Sequence, residues 1–272
     1  MFFRYILVDS LAKIRSRFNL PDQDVNFEPN YNVLPGQFLP VITSDQPEKV
    51  LLMRYGFTPF WEKRERMILE ARAEGDYNVS NTSGLISSKG IIIKREFRKP
   101  IRSQRCLIIG SAFAIINMEN EPYLVFLKDH NHPFAFAGIW DLWEDPKDGT
   151  KLESFCIVTT VANDFMQHLG MTRMPVILQD KYEKLWLKND TPLFKITNML
   201  LPYHSDIMNA YPIDKRILIS KENLRTLIEP VGDKLVSDIE IYLKMSHYSS
   251  HKLHRHKDAG TTSMEERVKS SH

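Results

Sequence analysis

The chain has 272 residues, with 36 Lys+Arg against 34 Asp+Glu for a formal net charge of +2, and 43% of its residues are hydrophobic. That balance suits a folded globular protein and excludes disorder of the whole chain or a fold that depends on disulfide or metal staples. No run approaches the roughly 18 apolar residues of a membrane span, and FFRYILVDS is too short and too charged for a secretory signal, so a cytoplasmic location without a membrane partner is expected.

The first predicted element is a helix over DSLAKIRSRF at 9–18. Strand-like runs follow in FLPVIT (38–43), KVLLMRYGF (49–57), RCLIIGSAFAII (105–116), YLVFLK (123–128), FAFAGIW (134–140) and SFCIVTT (154–160). Helical patterns then cover ANDFMQHLG (162–170), DKYEKLWL (180–187) and LFKITNMLL (193–201). Strands and helices do not alternate regularly, which points to an α+β fold with a largely antiparallel sheet rather than a doubly wound one. No linker or repeat divides residues 1–230, so a single domain is expected there, with a helical extension over 231–245. From 246 to 272 the chain turns polar and is expected to be a disordered His-rich tail.

Three groups of residues carry chemistry. Cys106 and Cys156 sit in apolar contexts without CxxC spacing and read as buried reduced thiols. His247, His251, His254 and His256 lie close together in the tail, but with no scaffold to fix their geometry they read as solvated, and no metal or cofactor is expected. The segment KREFRKPIRSQR (94–105) places Lys94, Arg95, Arg98, Lys99, Arg102 and Arg105 against a single acid, Glu96. With Arg4, Arg54, Arg72 and the rings Tyr55, Phe57, Phe60 and Trp61, it supplies the ingredients of a single-strand surface, on which bases stack and cations follow phosphates.

YNVLPGQFLPVI (31–42), MRYGFTPFW (53–61), ARAE (71–74), RCLI (105–108), PFAFAGIWDLW (133–143), ESFCIVTTVAN (153–163) and TRMPVIL (172–178) occur together and in order. In this the chain resembles the SOS response-associated peptidase family over roughly residues 1–230. The resemblance implies a barrel-like sheet with flanking helices, and a protein that recognises abasic sites in single-stranded DNA and cross-links to them. The family's chemistry uses an N-terminal cysteine whose amine and thiol close a thiazolidine on the sugar aldehyde, assisted by an Asn, a Glu and a His.

The corresponding positions here hold other residues. The cysteine position is Phe2, the Asn position Glu70, the Glu position Ile115, and the His position Met171 or Gly170, with His168 the nearest imidazole. Thiazolidine formation and autoproteolysis are therefore expected to be absent. Arg4, Trp61, Arg72, Arg98, Arg105 and Arg173 are retained as the expected DNA-binding set. Asn32 and Gln37 are expected to satisfy buried backbone groups, Pro35 and Pro175 to fix turns, and Glu70 to pair with Arg72. The resulting expectation is a protein that binds single-stranded or abasic DNA in a DNA-damage context without covalent chemistry. Two alternatives stand beside it: a residual enzyme that forms an imine through the Met1 α-amine, and a protein-interaction module that has lost nucleic acid.

Overall fold

Runs rich in Val, Ile, Leu, Phe and Tyr, bounded by Gly, Pro and Asp, become strands because branched and aromatic side chains pack well on a pleated surface. The computed structural model describes residues 3–74, 90–128 and 133–236. In chain order its strands are β1 (Phe3–Ile6), β2 (Phe38–Thr43), β3 (Leu51–Tyr55), β4 (Glu70–Arg72), β5 (Arg105–Gly110), β6 (Ala112–Ile116), β7 (Pro122–Leu127), β8 (Phe134–Glu144), β9 (Lys151–Val161), β10 (Arg173–Pro175), β11 (Ile177–Leu178) and β12 (Met208–Pro212). The helices are α1 (Leu11–Phe18), α2 (Pro100–Ser103), α3 (Asp164–His168), α4 (Asp180–Leu187) and α5 (Leu193–Asn198).

β9, β3, β2, β5 and β8 pair in that order, and β8 pairs back onto β9 from Gly138↔Ile157 to Glu144↔Lys151, closing a five-stranded barrel. Closure leaves no open edge on those strands. β10 and β4 add to β9, and β11 to β8. A Cβ at Gly138 would lie 2.5 Å from Ile108 Cδ1 and 2.7 Å from Cys106 Sγ, so only glycine lets β5 and β8 approach there. β1, β6, β7 and β12 form a second, four-stranded antiparallel sheet. It meets the barrel through Tyr5, whose ring lies edge-on to Tyr55 and Phe136 at 5.8 Å each, while Tyr55 stacks on Phe155 at 5.5 Å. On another side of the same sheet, Ile6, Ala112, Ala114 and Leu124 are covered by Ile213, Ile217 and Leu227.

The α+β class and the largely antiparallel, barrel-like sheet agree with the sequence reading, β3 and β9 being the one parallel pair inside the barrel, with one rearrangement. The 105–116 run is two strands: β5 belongs to the barrel and β6 to the second sheet. Ser111 marks the break, its N–H donating to Ile6 O at 2.7 Å and its hydroxyl to buried Asp9 at 2.5 Å. Gln37 accepts the Leu34 amide at 2.9 Å, as its position suggested, and Pro35 precedes Gly36 in a turn at φ +89. Pro175 instead ends β10, an outer strand of its sheet where its missing N–H costs no ladder bond on the open side. The chain divides into a unit over Met1–Asp233 and a second over Lys234–His272. Residues 231–236 contain no helix, and the remainder of the expected extension and the His-rich tail lie outside the described residues. Among the described residues no helix is long and apolar enough to cross a membrane, and no three His, Cys, Asp or Glu side chains gather to hold a metal.

Candidate nucleic-acid interface

Two neighbouring features of β4 and β9 organise the first part of the site. Strand alternation puts Glu70 and Arg72 on one face of β4 and buries Ala71 on the other. Parallel pairing with β9 sets Arg72 opposite Thr159. Arg72 Nε donates to Glu70 Oε1 at 3.3 Å, and Thr159 Oγ1 donates to Glu70 Oε2 at 3.5 Å. Arg173 on β10 continues the chain of contacts, with Nη2 2.9 Å from both Thr159 Oγ1 and Glu74 Oε2. Glu74 in turn accepts from the Val161 amide at 3.1 Å and from Thr160 Oγ1 at 3.2 Å. The two arginines and two glutamates of this network cancel, so it presents no excess of positive charge. The anticipated Glu70–Arg72 pair is formed, and it remains one-quarter to one-third exposed, at 25% and 34%.

Most of the arginines assigned to DNA from sequence prove to be interior residues. Arg105 is 0% exposed, and its guanidinium donates to the carbonyls of Trp186 and Arg102 at 2.5 Å, Lys188 at 2.8 Å and Ile101 at 3.0 Å. Burial pushes its pKa down to about 10, still high enough to keep it charged at neutral pH. It holds α4 against β5. Arg4 is also buried, donating to Asn32 Oδ1, to Ser220 O at 2.9 Å and to Leu218 O at 3.2 Å. Asn32 Nδ2 joins it on Ser220 O at 3.1 Å and donates as well to Glu222 O at 3.0 Å, and Asn223 ties the same segment to Pro29 and Tyr31. Residues 218–223 thus form a strap across the Arg4 guanidinium. Arg173 is buried against Glu74. All three differ from the surface placement expected of them in the same way: each is a cation held by carbonyls or carboxylates below the surface, an arrangement that serves the fold.

The exposed cations gather elsewhere, beside two rings. Of the expected aromatic cluster, Tyr55 and Phe57 are core residues, whereas Phe60 is 50% exposed and Trp61 half-buried. Arg95 lies over the Trp61 ring at 3.9 Å and Lys99 over the Phe60 ring at 4.3 Å. Arg98 is exposed between them in sequence. Asp141 on β8, 1% exposed, fastens both halves of this surface: it accepts from the Phe60 amide and from Gln104 Nε2, each at 2.9 Å. Trp143 adds a bond from its indole N–H to Glu62 O at 2.8 Å, and Arg54 pairs with Glu65 from below. Sequence reading missed Asp141 and Glu74. An acid within the apolar run FAFAGIWDLW was the available signal, because a buried carboxylate must have donors to hold.

This chain matches the family model described as SOS response associated peptidase (SRAP) over residues 1–219. The chain belongs to that family. It is 33% identical over 239 residues to the abasic site processing protein YoqW of Bacillus subtilis (strain 168), covering 83% of this chain and 98% of that one. It is 27% identical over 195 residues to the abasic site processing protein HMCES of Gallus gallus, covering 59% and 54% respectively. Among solved structures, a crystallised protein from Bacteroides thetaiotaomicron superimposes with a TM-score of 0.72 at 26% identity, covering 85% of this chain and all (100%) of that one. The fold is therefore that of SRAP proteins, and the strap residues 220–223 lie beyond the matched stretch.

The residues expected from sequence at the family's catalytic positions lie in unlike surroundings. Ile115 on β6 is 1% exposed, a core residue opposite Phe3 in the β1–β6 register. Met171 is partly buried and packs against the main core. His168 is exposed at the end of α3, with Nδ1 2.6 Å from Asp164 O, and belongs to its own helix rather than to the network around Arg173. Met1 and Phe2 lie outside the described residues. Both cysteines are buried and free, and burial pushes both thiols well above their ordinary range, so neither offers a thiolate.

Proposed function

We propose that this SRAP protein binds single-stranded DNA, including strands with abasic sites, in a DNA-damage context and without cross-linking or autoproteolysis. The observation that carries the reading is the pair of neighbouring rings, exposed Phe60 and half-buried Trp61, each beneath a cation, with the Phe60 backbone held by Asp141. Stacking on such rings is tolerant of sequence, and the adjacent Arg95, Arg98 and Lys99 follow a phosphate backbone. The names of the relatives, abasic site processing proteins, supply the DNA-damage context. Absence of covalent chemistry rests on the Ile115 side chain, which moves no proton, on Glu70 in place of a neutral amide, and on two thiols that stay protonated.

Fluorescence anisotropy of a labelled single strand with one abasic site, beside an intact control, tests the reading. Affinity should fall as salt rises, with a log–log slope of roughly −0.7 per phosphate neutralised. Phe60→Ala/Trp61→Ala should weaken binding by about tenfold or more. Borohydride treatment should trap no adduct. Equal affinity of the double variant and the parent would remove the aromatic surface from the reading, and a trapped adduct sensitive to acetylation of the chain's α-amine would replace the non-covalent reading with imine chemistry.

A further inference from the structure

We propose that Glu70 is a built-in competitor for the backbone phosphate that Arg72 and Thr159 are arranged to hold, and so sets the affinity of this site for a single strand. The inference rests on the reading above that the protein binds single-stranded DNA. Glu70 Oε1 takes the Arg72 Nε proton while Oε2 takes the Thr159 hydroxyl, across the β4–β9 register. Two oxygens of one anionic group bridging a guanidinium and a hydroxyl is also how a phosphate would sit. Thr159 is prepared as a donor toward that spot: Arg173 Nη2 already fills one of its lone pairs at 2.9 Å, which leaves the hydroxyl hydrogen for an acceptor on the Glu70 side. Arg173 Nε, on the side chain that contacts Thr159, is itself buried without a hydrogen-bond partner.

The competitor is loosely held. Its contacts of 3.3 and 3.5 Å are long beside the roughly 2.8 Å of a tight charge-assisted bond, and both Glu70 and Arg72 keep access to solvent. Glu70 can therefore swing outward and leave Arg72 and the Thr159 hydroxyl to a phosphodiester oxygen. No bond breaks other than these hydrogen bonds.

Glu70→Gln keeps the shape and the acceptor for Thr159 while removing the charge. It should bind an oligo-dT strand roughly three- to tenfold tighter than the parent, with a salt slope steeper by about 0.7, the equivalent of one added phosphate. Glu70→Gln/Arg72→Ala should lose that gain. Glu229→Gln, which removes an exposed charge near Arg225, controls for net charge. An equal gain in that control, or no gain in Glu70→Gln, overturns the proposal, and the Phe60→Ala/Trp61→Ala comparison in the parent then still decides the DNA-binding reading separately. Inorganic phosphate provides the second arm. Tighter phosphate binding by Glu70→Gln with unchanged oligonucleotide affinity would overturn the assignment to a nucleic-acid backbone in favour of a free anion. Thermal melting of each variant checks that the fold is retained.

Discussion

The buried arginines and the cations beside Phe60 and Trp61 share a positive charge and almost nothing else. Arg105 ends among four carbonyls, Arg173 against Glu74, and Arg4 beneath a strap, whereas Arg95, Arg98 and Lys99 stand at the surface with rings or solvent for neighbours. The first set binds the chain to itself, and the second is available to a partner. The difference teaches that a basic residue is informative only together with its depth, because burying a guanidinium requires acceptors from the protein itself.

Removing the deepest cation should break the comparison most strongly. Arg105→Met leaves the carbonyls of Trp186, Lys188, Ile101 and Arg102 without that donor, and is expected to cost about 3–5 kcal/mol, read as a fall in thermal midpoint on the order of 10 °C. Arg173→Gln strands Glu74 and should cost about 3 kcal/mol in denaturant unfolding. An unchanged midpoint in either variant would return that arginine to the surface set.

A buried carboxylate sharpens the same contrast through pH. Glu183 on α4 receives a two-pronged contact from Arg17 on α1 at 2.9 and 3.1 Å, yet burial pushes its pKa up from 4.5 to about 7, with Arg17 opposing the rise. The folded state then keeps a proton that the unfolded chain releases, so stability drains as pH climbs from 4.5 to about 7 and levels off above. Between pH ~5 and ~8, Glu183→Gln should gain on the parent by on the order of 2 kcal/mol in urea unfolding. A gain by the parent instead would mean that the Arg17 charge outweighs burial. The smallest effect is expected at the surface: Arg98→Ala should leave stability within about 0.5 kcal/mol, lower oligonucleotide affinity roughly twofold and flatten the salt slope.

Long, strongly patterned elements were legible from sequence. α4 occupies 180–187 as its periodicity indicated, and β2 fills the 38–43 run. β4, β10 and β11 were not legible, since each spans two or three residues and exists because β9 or β8 offers a ladder to join. Nor did apolar patterning reveal that 105–116 changes sheets at Ser111, because both halves are buried. The site divided in the same way. The pairing of Glu70 with Arg72 was legible from their spacing, two residues apart on one strand face. The surface of Phe60, Trp61, Arg95 and Lys99 had its parts visible but mixed with Tyr55, Phe57 and Arg105, which the fold takes inside.

Sequence by itself determined the α+β class and the family likeness, because each follows from the order and chemistry of local residues. Tertiary structure alone decided which cations are available, since availability depends on what packs over them from distant parts of the chain. The carbonyls of 218 and 220 cover Arg4, those of 186 and 188 hold Arg105, and Asp141 brings the Phe60 loop to the basic segment.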